Sequence, residues 1–334
     1  MSLSFSDNGL NIYGFNGVGK TNLLEAIFYF STGKSFRTKS DIDIINFEKD
    51  YFRITSEIVI NKLDYTFEIG YNRKKKKIVK INGQLLKKLT DLYGKFKVIF
   101  FSPSDINIIS GTPSNRRLFF DKAIAQLYPE YLSILNRQKK IIKQRNFLFK
   151  SSYSEAEKSS WDNQLMVNSA KLYKFRIDYL KDFNSIFQTK YSEISDFKEK
   201  AEIKYFSGLN IAGTYEKSFK EELSKISQQE IIYKRTLIGP QLDDYIINID
   251  DKNSKMFASQ GQMRSLAIAL RLSQATVLTE KKIYPVLIFD DVIGELDNRR
   301  TTSLLKLLND NHQIFIASPK LENLPKNREN LELK

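Results

Sequence analysis

The sequence predicts an α/β fold: a P-loop core sheet, an antiparallel β layer beside it, and an inserted α-helical arm lobe. Three observations predict it. Leu10–Tyr13, the glycine-rich stretch Gly14–Thr21 and the apolar spacing of Leu23, Leu24, Ile27 and Phe28 read as strand, loop and helix. Residues 51–101 are rich in β-formers, whereas from Pro113 the apolar period becomes helical. Near the other end, Val286–Phe289 is an uninterrupted apolar strand closed by Asp290 and Asp291. The core is therefore expected from both chain ends, residues 1–112 and 201–334, with 113–200 inserted as the arm.

Composition narrows the class. The chain has 334 residues, no cysteine and the single histidine His312, which excludes disulfides, thiolate metal sites and two-histidine chemistry. No apolar run approaches membrane-spanning length and no signal pattern opens the chain, so a cytoplasmic protein without a membrane partner is expected. Lysine and arginine number 53 against 39 acids, a formal charge of +14. Such a balance suits a nucleic-acid partner, and also suits a lysine-rich genome bias.

The elements follow in order. Residues 51–60 and 64–70 read as antiparallel strands, Asn82-Gly83 as a hairpin turn, and Arg73–Lys77 as a charged hairpin tip. Lys97–Phe101 is a buried strand. Leu127, Tyr131, Leu135 and Ile142 form a stripe over one long helix, and Leu165, Leu172, Tyr179 and Ile186 recur every seven residues along another. A polar loop, Ser151–Ser160, joins them. Arg137, Lys139, Lys140, Lys143, Arg145 and Lys150 make the first helix basic, either as a solvated face or as a phosphate-backbone surface. Residues 201–206 and 245–249 return to strands, a helix runs from Met263 to about Thr279, and residues 313–317 are the last core strand.

Gly14, Phe15, Asn16, Gly17, Val18, Gly19, Lys20 and Thr21 fit the pattern Gly, four residues, Gly-Lys-Thr. Its glycines let backbone N–H groups curl around a phosphate at a helix N-terminus; Lys20 can reach the β- and γ-phosphates, and Thr21 can hold Mg²⁺. Asp290, at the end of an apolar strand, can share that metal site, and Asp291 is a candidate general base for the attacking water. Expected cofactors are thus ATP and Mg²⁺. Ser259, Gln260, Gly261 and Gln262 open a helix and form a second anion site. One chain needs one such site for its own phosphates, so a second predicts ATP shared between two protomers.

These motifs are similar to those of the RecF family, within the ABC-type ATPases of recombination and chromosome maintenance. The resemblance rests on Ser259–Ser265, Asp290-Asp291-Val292, Glu295-Leu296-Asp297, Asn22–Ala26, Ser35–Thr38, Gly111–Asp121 with Arg116-Arg117, and Gly239-Pro240 with Asp243-Asp244, in family order over nearly the whole chain. It implies an ABC-ATPase head with a helical lobe and an ATP-dependent homodimer. The implied activity is weak ATP hydrolysis that dissolves the dimer. Implied partners are gapped, double-stranded and single-stranded DNA and the mediators RecR and RecO, with loading of RecA as the outcome. By position, Lys20, Thr21 and Asp290 match nucleotide and metal ligands, Asp291 the catalytic acid, Ser259 and Gly261 the trans-acting signature, Glu295–Asp297 the D-loop, and Ser102–Asp105 a metal-sensing loop. The family's usual first strand and its Phe-Arg-Asn element, which reaches toward the nucleotide, have no match, which bears on base contacts and on the stability of one sheet edge; nor does the switch histidine, since Ser318 follows the final strand and His312 precedes it. Two other classes share these motifs: an ATPase subunit of a transporter or assembly machine, and a non-catalytic protein that keeps the fold.

Overall fold

The computed structural model describes residues 2–296, 298–308, 312–325 and 327–334. Its strands are β1 (Gly9–Tyr13), β2 (Tyr51–Ile60), β3 (Leu63–Asn72), β4 (Lys77–Ile81), β5 (Gln84–Leu85), β6 (Val98–Phe101), β7 (Ala201–Phe206), β8 (Asp244–Ile249), β9 (Lys252–Asn253), β10 (Val286–Asp290), β11 (Ile314–Ser318) and β12 (Glu329–Glu332). Its helices are α1 (Lys20–Thr32), α2 (Ile106–Ser110), α3 (Pro113–Leu127), α4 (Pro129–Leu148), α5 (Glu155–Ile194), α6 (Tyr215–Tyr233), α7 (Ser254–Phe257), α8 (Gln260–Glu280) and α9 (Asn298–Leu307).

Two compact units result. The first comprises residues 1–105, 193–195 and 268–334. Its core sheet is wholly parallel, in the order β12-β1-β11-β10-β6. Strands buried on both faces are apolar: β6 is so throughout, β10 up to its last residue, Asp290, and β11 up to its last residue, Ser318. The antiparallel layer, β2-β3-β4-β5, lends Phe67, Ile69 and Val79 to the same buried cluster as Leu10, Ile12, Leu24, Val98, Ile288 and Phe315. The edge beside β1 is covered: β12 pairs with β1 in parallel from Leu10 to Tyr13, and Asn11 anchors it by donating to the Pro325 carbonyl (2.7 Å) and to Asn330 Oδ1 (3.0 Å).

The second unit comprises residues 106–192 and 196–267. It extends beyond the arm expected at 113–200 and takes in residues 201–267, which include side chains that pack with the arm helices. Tyr215 and Phe219 of α6, with Leu209 and Ile238, share a core with Ile141 of α4 and Leu165 and Met166 of α5. In the three-stranded antiparallel sheet β7-β8-β9, Tyr245 of β8 stacks on Phe120 of α3 with centroids 3.8 Å apart. The single helix expected through Leu127 and Ile142 is two, because Pro129 cannot continue α3 and instead starts α4. Helix α6 was not foreseen.

The Arg73–Lys77 run does sit at the tip of the β3–β4 hairpin, with residues 73–76 exposed. Within it Arg73 donates to the carbonyls of Asn46, Phe47 and Lys49, and Lys77 pairs with Asp41 at 2.7 Å. Arg145, counted with the basic face of α4, is buried: it pairs with Glu230 (2.8 Å) and Asp162 (2.6 Å) and donates to Thr236. The other α4 cations, Arg137, Lys139, Lys140 and Lys143, are exposed, as is Lys150 just beyond its end. The motifs Arg116-Arg117 and Asp243-Asp244 meet inside the second unit: Arg116 grips Asp244 through two 2.8 Å bonds, and Arg117 donates to the Asp243 carbonyl. Buried Arg176 joins them by donating to the Pro240 carbonyl and to Asp121. Buried charges without such partners would cost several kcal/mol each, about 3–5 on removal of one partner.

Candidate nucleotide site and family

Strand β1 ends at Tyr13 and α1 starts at Lys20, so Gly14–Gly19 form the turn between them. Two glycines have physical reasons. Gly14 has φ +147°, and a Cβ there would lie 2.2 Å from the Leu333 carbonyl oxygen. Gly19 caps α1 in the left-handed region, φ +102°. The loop thus abuts the chain just beyond β12, whose Leu333 N–H donates to Tyr13.

Lys20 is buried, and its ammonium donates to the carbonyls of Gly14 (2.9 Å) and Phe15 (3.1 Å). These contacts hold the charge over the loop, where a phosphate can replace the carbonyls. The Thr21 hydroxyl donates to Asp290 Oδ1 at 3.0 Å, so residues 269 apart in sequence meet at one point. The Asp290 carboxyl is raised above the ordinary aspartate range, first by burial and further by Asp291, while the Thr21 bond, Arg37 and Lys20 oppose the rise. A divalent cation there would relieve the burial penalty. A hydroxyl beside a carboxylate is the hard oxygen set that Mg²⁺ prefers, so the residues fit that ion and the triphosphate it accompanies.

Asp291 turns the chain at φ +54°, its N–H donating to the Ala317 carbonyl. Its buried Oδ1 has no hydrogen-bond partner among the described residues. Left-handed backbone and an unsatisfied buried oxygen both cost free energy, and such costs cluster where a side chain is held for chemistry.

A polar network beside the loop carried no role in the sequence reading. Arg37 Nη1 donates to Asn22 Oδ1 (2.7 Å) and lies 3.6 Å from Glu25, which accepts from the Ser35 hydroxyl. Asn22 and Glu25 are three residues apart on α1 and so share a face; that spacing, followed by Ser-Phe-Arg, was the available signal. Ser102 N–H donates to Asp105, whose other oxygen accepts from Arg271 at 2.6 Å.

Ser259–Gln262 lie in the second unit. There they form a reciprocal cap: Gln262 N–H donates to Ser259 Oγ (3.2 Å) and Ser259 N–H to Gln262 Oε1 (2.7 Å). Gln262 Nε2 also donates to Glu199. Ser259 and Gln260 are exposed. Because the Ser259 oxygen accepts from the backbone, its own proton remains available to an external acceptor. Of the expected D-loop, Asp297 lies outside the described residues, as does the Glu295 side chain. His312 does not stand beside Asp290: it is buried between the Pro285 carbonyl and Thr279, and burial lowers its pKa. No described helix is long and apolar enough to cross a membrane.

Comparison with known proteins gives the same relationship. The model of the RecF/RecN/SMC N-terminal domain matches residues 1–334. The chain is 38% identical over 319 residues to the DNA replication and repair protein RecF of Thermoanaerobacter sp. (strain X514), covering 92% of this chain and 87% of that protein. It is 33% identical over 338 residues to RecF of Lachnospira eligens, covering 99% and 92%. Among solved structures, the recombination mediator protein RecF-ATPrS in the RecFOR pathway superimposes with a TM-score of 0.90 at 31% identity, over 99% of this chain and 91% of that one. An SMC head bound to the C-winged helix domain of ScpA, TM-score 0.55 at 14% identity, shares the fold. With both ends of the chain forming one P-loop sheet and these matches spanning nearly its whole length, the protein belongs to the RecF/RecN/SMC N-terminal domain family, in its RecF branch.

Proposed function

We propose that the chain is a weak ATPase of recombinational repair and replication-fork maintenance. In this reading it dimerises on ATP, binds gapped, double-stranded and single-stranded DNA, and helps load RecA together with RecR and RecO. The observation that carries it is the convergence of Lys20, Thr21, Asp290 and Asp291 at the end of one parallel sheet. The family match supports RecF chemistry over a transporter or assembly subunit.

Each residue then has a task. The N–H groups of Gly14–Gly19 and the Lys20 ammonium take the phosphates, and Lys20 leaves its carbonyls to do so. Thr21 and Asp290 would hold Mg²⁺, which when bound neutralises charge on the phosphate oxygens. Asp291 accepts a proton from water attacking the γ-phosphorus, and ADP departs with the electron pair of the broken P–O bond. Ser259 and Gly261 of a second copy close the site, using the Ser259 proton and the first-turn N–H groups of α8. Loss of the γ-phosphate removes the shared anion, so hydrolysis opens the dimer. The exposed α4 cations offer a phosphate-backbone surface that reads charge and not sequence.

The test is fluorescence anisotropy of a labelled gapped duplex, with and without a slowly hydrolysed ATP analogue, over a salt series. Binding should tighten with nucleotide and weaken steeply with salt, by about 0.9 in log-log slope per phosphate contacted. Lys20→Ala should abolish ATP-dependent dimers. Dimers unaffected by that substitution would refute the mechanism, and flotation with membranes without DNA binding would favour the transporter class.

A further inference from the structure

Three large apolar side chains stand in solvent beside the two anion-binding motifs. Phe15, inside the phosphate loop, is 86% exposed. Met256 and Phe257, just before Ser259, are 74% and 67% exposed. None of them serves its own motif. A phosphate loop binds through main-chain N–H groups, and the Phe15 carbonyl, not its ring, meets Lys20 (3.1 Å). The cap at Ser259 is built entirely from Ser259 and Gln262. Exposed single apolar residues are ordinary, but these three border the two halves of one reaction site.

We propose that Phe15 of one copy packs against Met256 and Phe257 of a second copy, forming an apolar clamp at each shared nucleotide. This rests on the ATP-dependent dimer proposed above and names residues that decide its strength. Phe15 flanks the lysine that takes the phosphates, and Phe257 is two residues, at most about 7 Å of chain, from the serine that would take them from the other side. A phosphate joining Lys20 to Ser259 therefore brings the ring of Phe15 within reach of Phe257. Two-fold symmetry repeats the contact, giving two clamps per dimer.

Charge explains why such a clamp would obey nucleotide. The loop carries Lys20, and the opposite half carries a helix N-terminus with exposed Lys255 nearby. Both halves are positive, so they repel each other until an anion lies between them. The apolar contact then adds strength only in the closed state. Aromatic anchors at the centre of an interface often dominate its energetics.

Mixing experiments with the full chain test this. Phe15→Ala and Phe257→Ala are prepared separately and mixed in a slowly hydrolysed ATP analogue, and dimer composition is read by native mass spectrometry. Each homodimer has both clamps broken. The heterodimer keeps one clamp intact, since the wild-type Phe15 and Phe257 come from different chains and meet at one site. At the usual strength of an aromatic pair, about 1 kcal/mol, the ratio of heterodimers to homodimers in an equal mixture should rise about fivefold above its statistical value. A statistical mixture would overturn the clamp. So would loss of labelled-nucleotide binding by dilute, monomeric Phe15→Ala, which would place the ring on the nucleotide base. If the unmodified chain forms no ATP-dependent dimer, the parent reading fails with it. Wild-type dimers alongside a statistical mixture of variants would refute the clamp alone.

Discussion

Arg145→Met separates the two readings of α4 most sharply. From sequence, Arg145 belongs to a basic phosphate-contacting face; in the structure its side chain is 1% exposed and faces Glu230, itself 0% exposed, and Asp162. Its guanidinium makes bonds to both acids and to Thr236, and lies 5.2 Å from the Phe149 ring centroid. Methionine fills much of the volume but leaves Glu230 buried without its countercharge. Breaking a buried pair by removing one partner costs about 3–5 kcal/mol. For a unit of this size that corresponds to a fall of on the order of 10 °C in its unfolding midpoint. Differential scanning calorimetry reads the second unit's transition. The double variant Arg145→Met/Glu230→Leu should recover much of the loss, because the orphaned charge is gone. Lys140→Ala, on the exposed face, should leave the midpoint unchanged and reduce the salt dependence of DNA binding by about one unit of slope. If Arg145→Met left the transition within 1 °C and weakened DNA binding as Lys140→Ala does, the buried-cluster account would be wrong.

Other outcomes follow from the first unit. Gly14→Ala places a Cβ 2.2 Å from the Leu333 carbonyl in a left-handed conformation, and should abolish nucleotide binding in equilibrium titration; retained affinity would show that the loop needs no contact with the chain beyond β12. Asp291→Asn should slow hydrolysis by about 10²–10⁴-fold while leaving ATP-dependent dimers long-lived, as single-turnover assays and sedimentation can check. The His312 pKa is lowered by burial, so on acidification the unfolded chain takes up this proton first. The stability it contributes is present above about pH 6.5 and is lost as pH falls below it. The first unit's melting temperature should therefore drop less between pH 7 and pH 5 in His312→Asn than in the unmodified chain. Equal slopes would refute that assignment.

The sequence by itself determined the parts whose information is contiguous. The run Gly14–Thr21 needs its glycines within a few residues of one another, so the loop, α1 and the place of Lys20 at its start were legible. The same holds for Val286–Asp291, since a strand buried on both faces must be apolar and must end where the acids emerge. The alternation of β2–β4 and the Asn82-Gly83 turn were likewise local. What only the tertiary structure decided were the pairings between distant residues. Charge type does not reveal burial, so nothing local distinguished Arg145, held by Glu230, from exposed Lys143 beside it. Arg116 and Asp244 carried a family resemblance, but that they neutralise each other depends on α3 packing against β8. The tail was opaque for the same reason. Glu329–Glu332 is a short, mostly exposed polar segment that becomes a strand because β1 offers an open edge and Asn11 a donor, and its register places Leu333 against the glycine that opens the phosphate loop. A short polar strand has little intrinsic preference; its conformation is set by the neighbour whose backbone groups it satisfies.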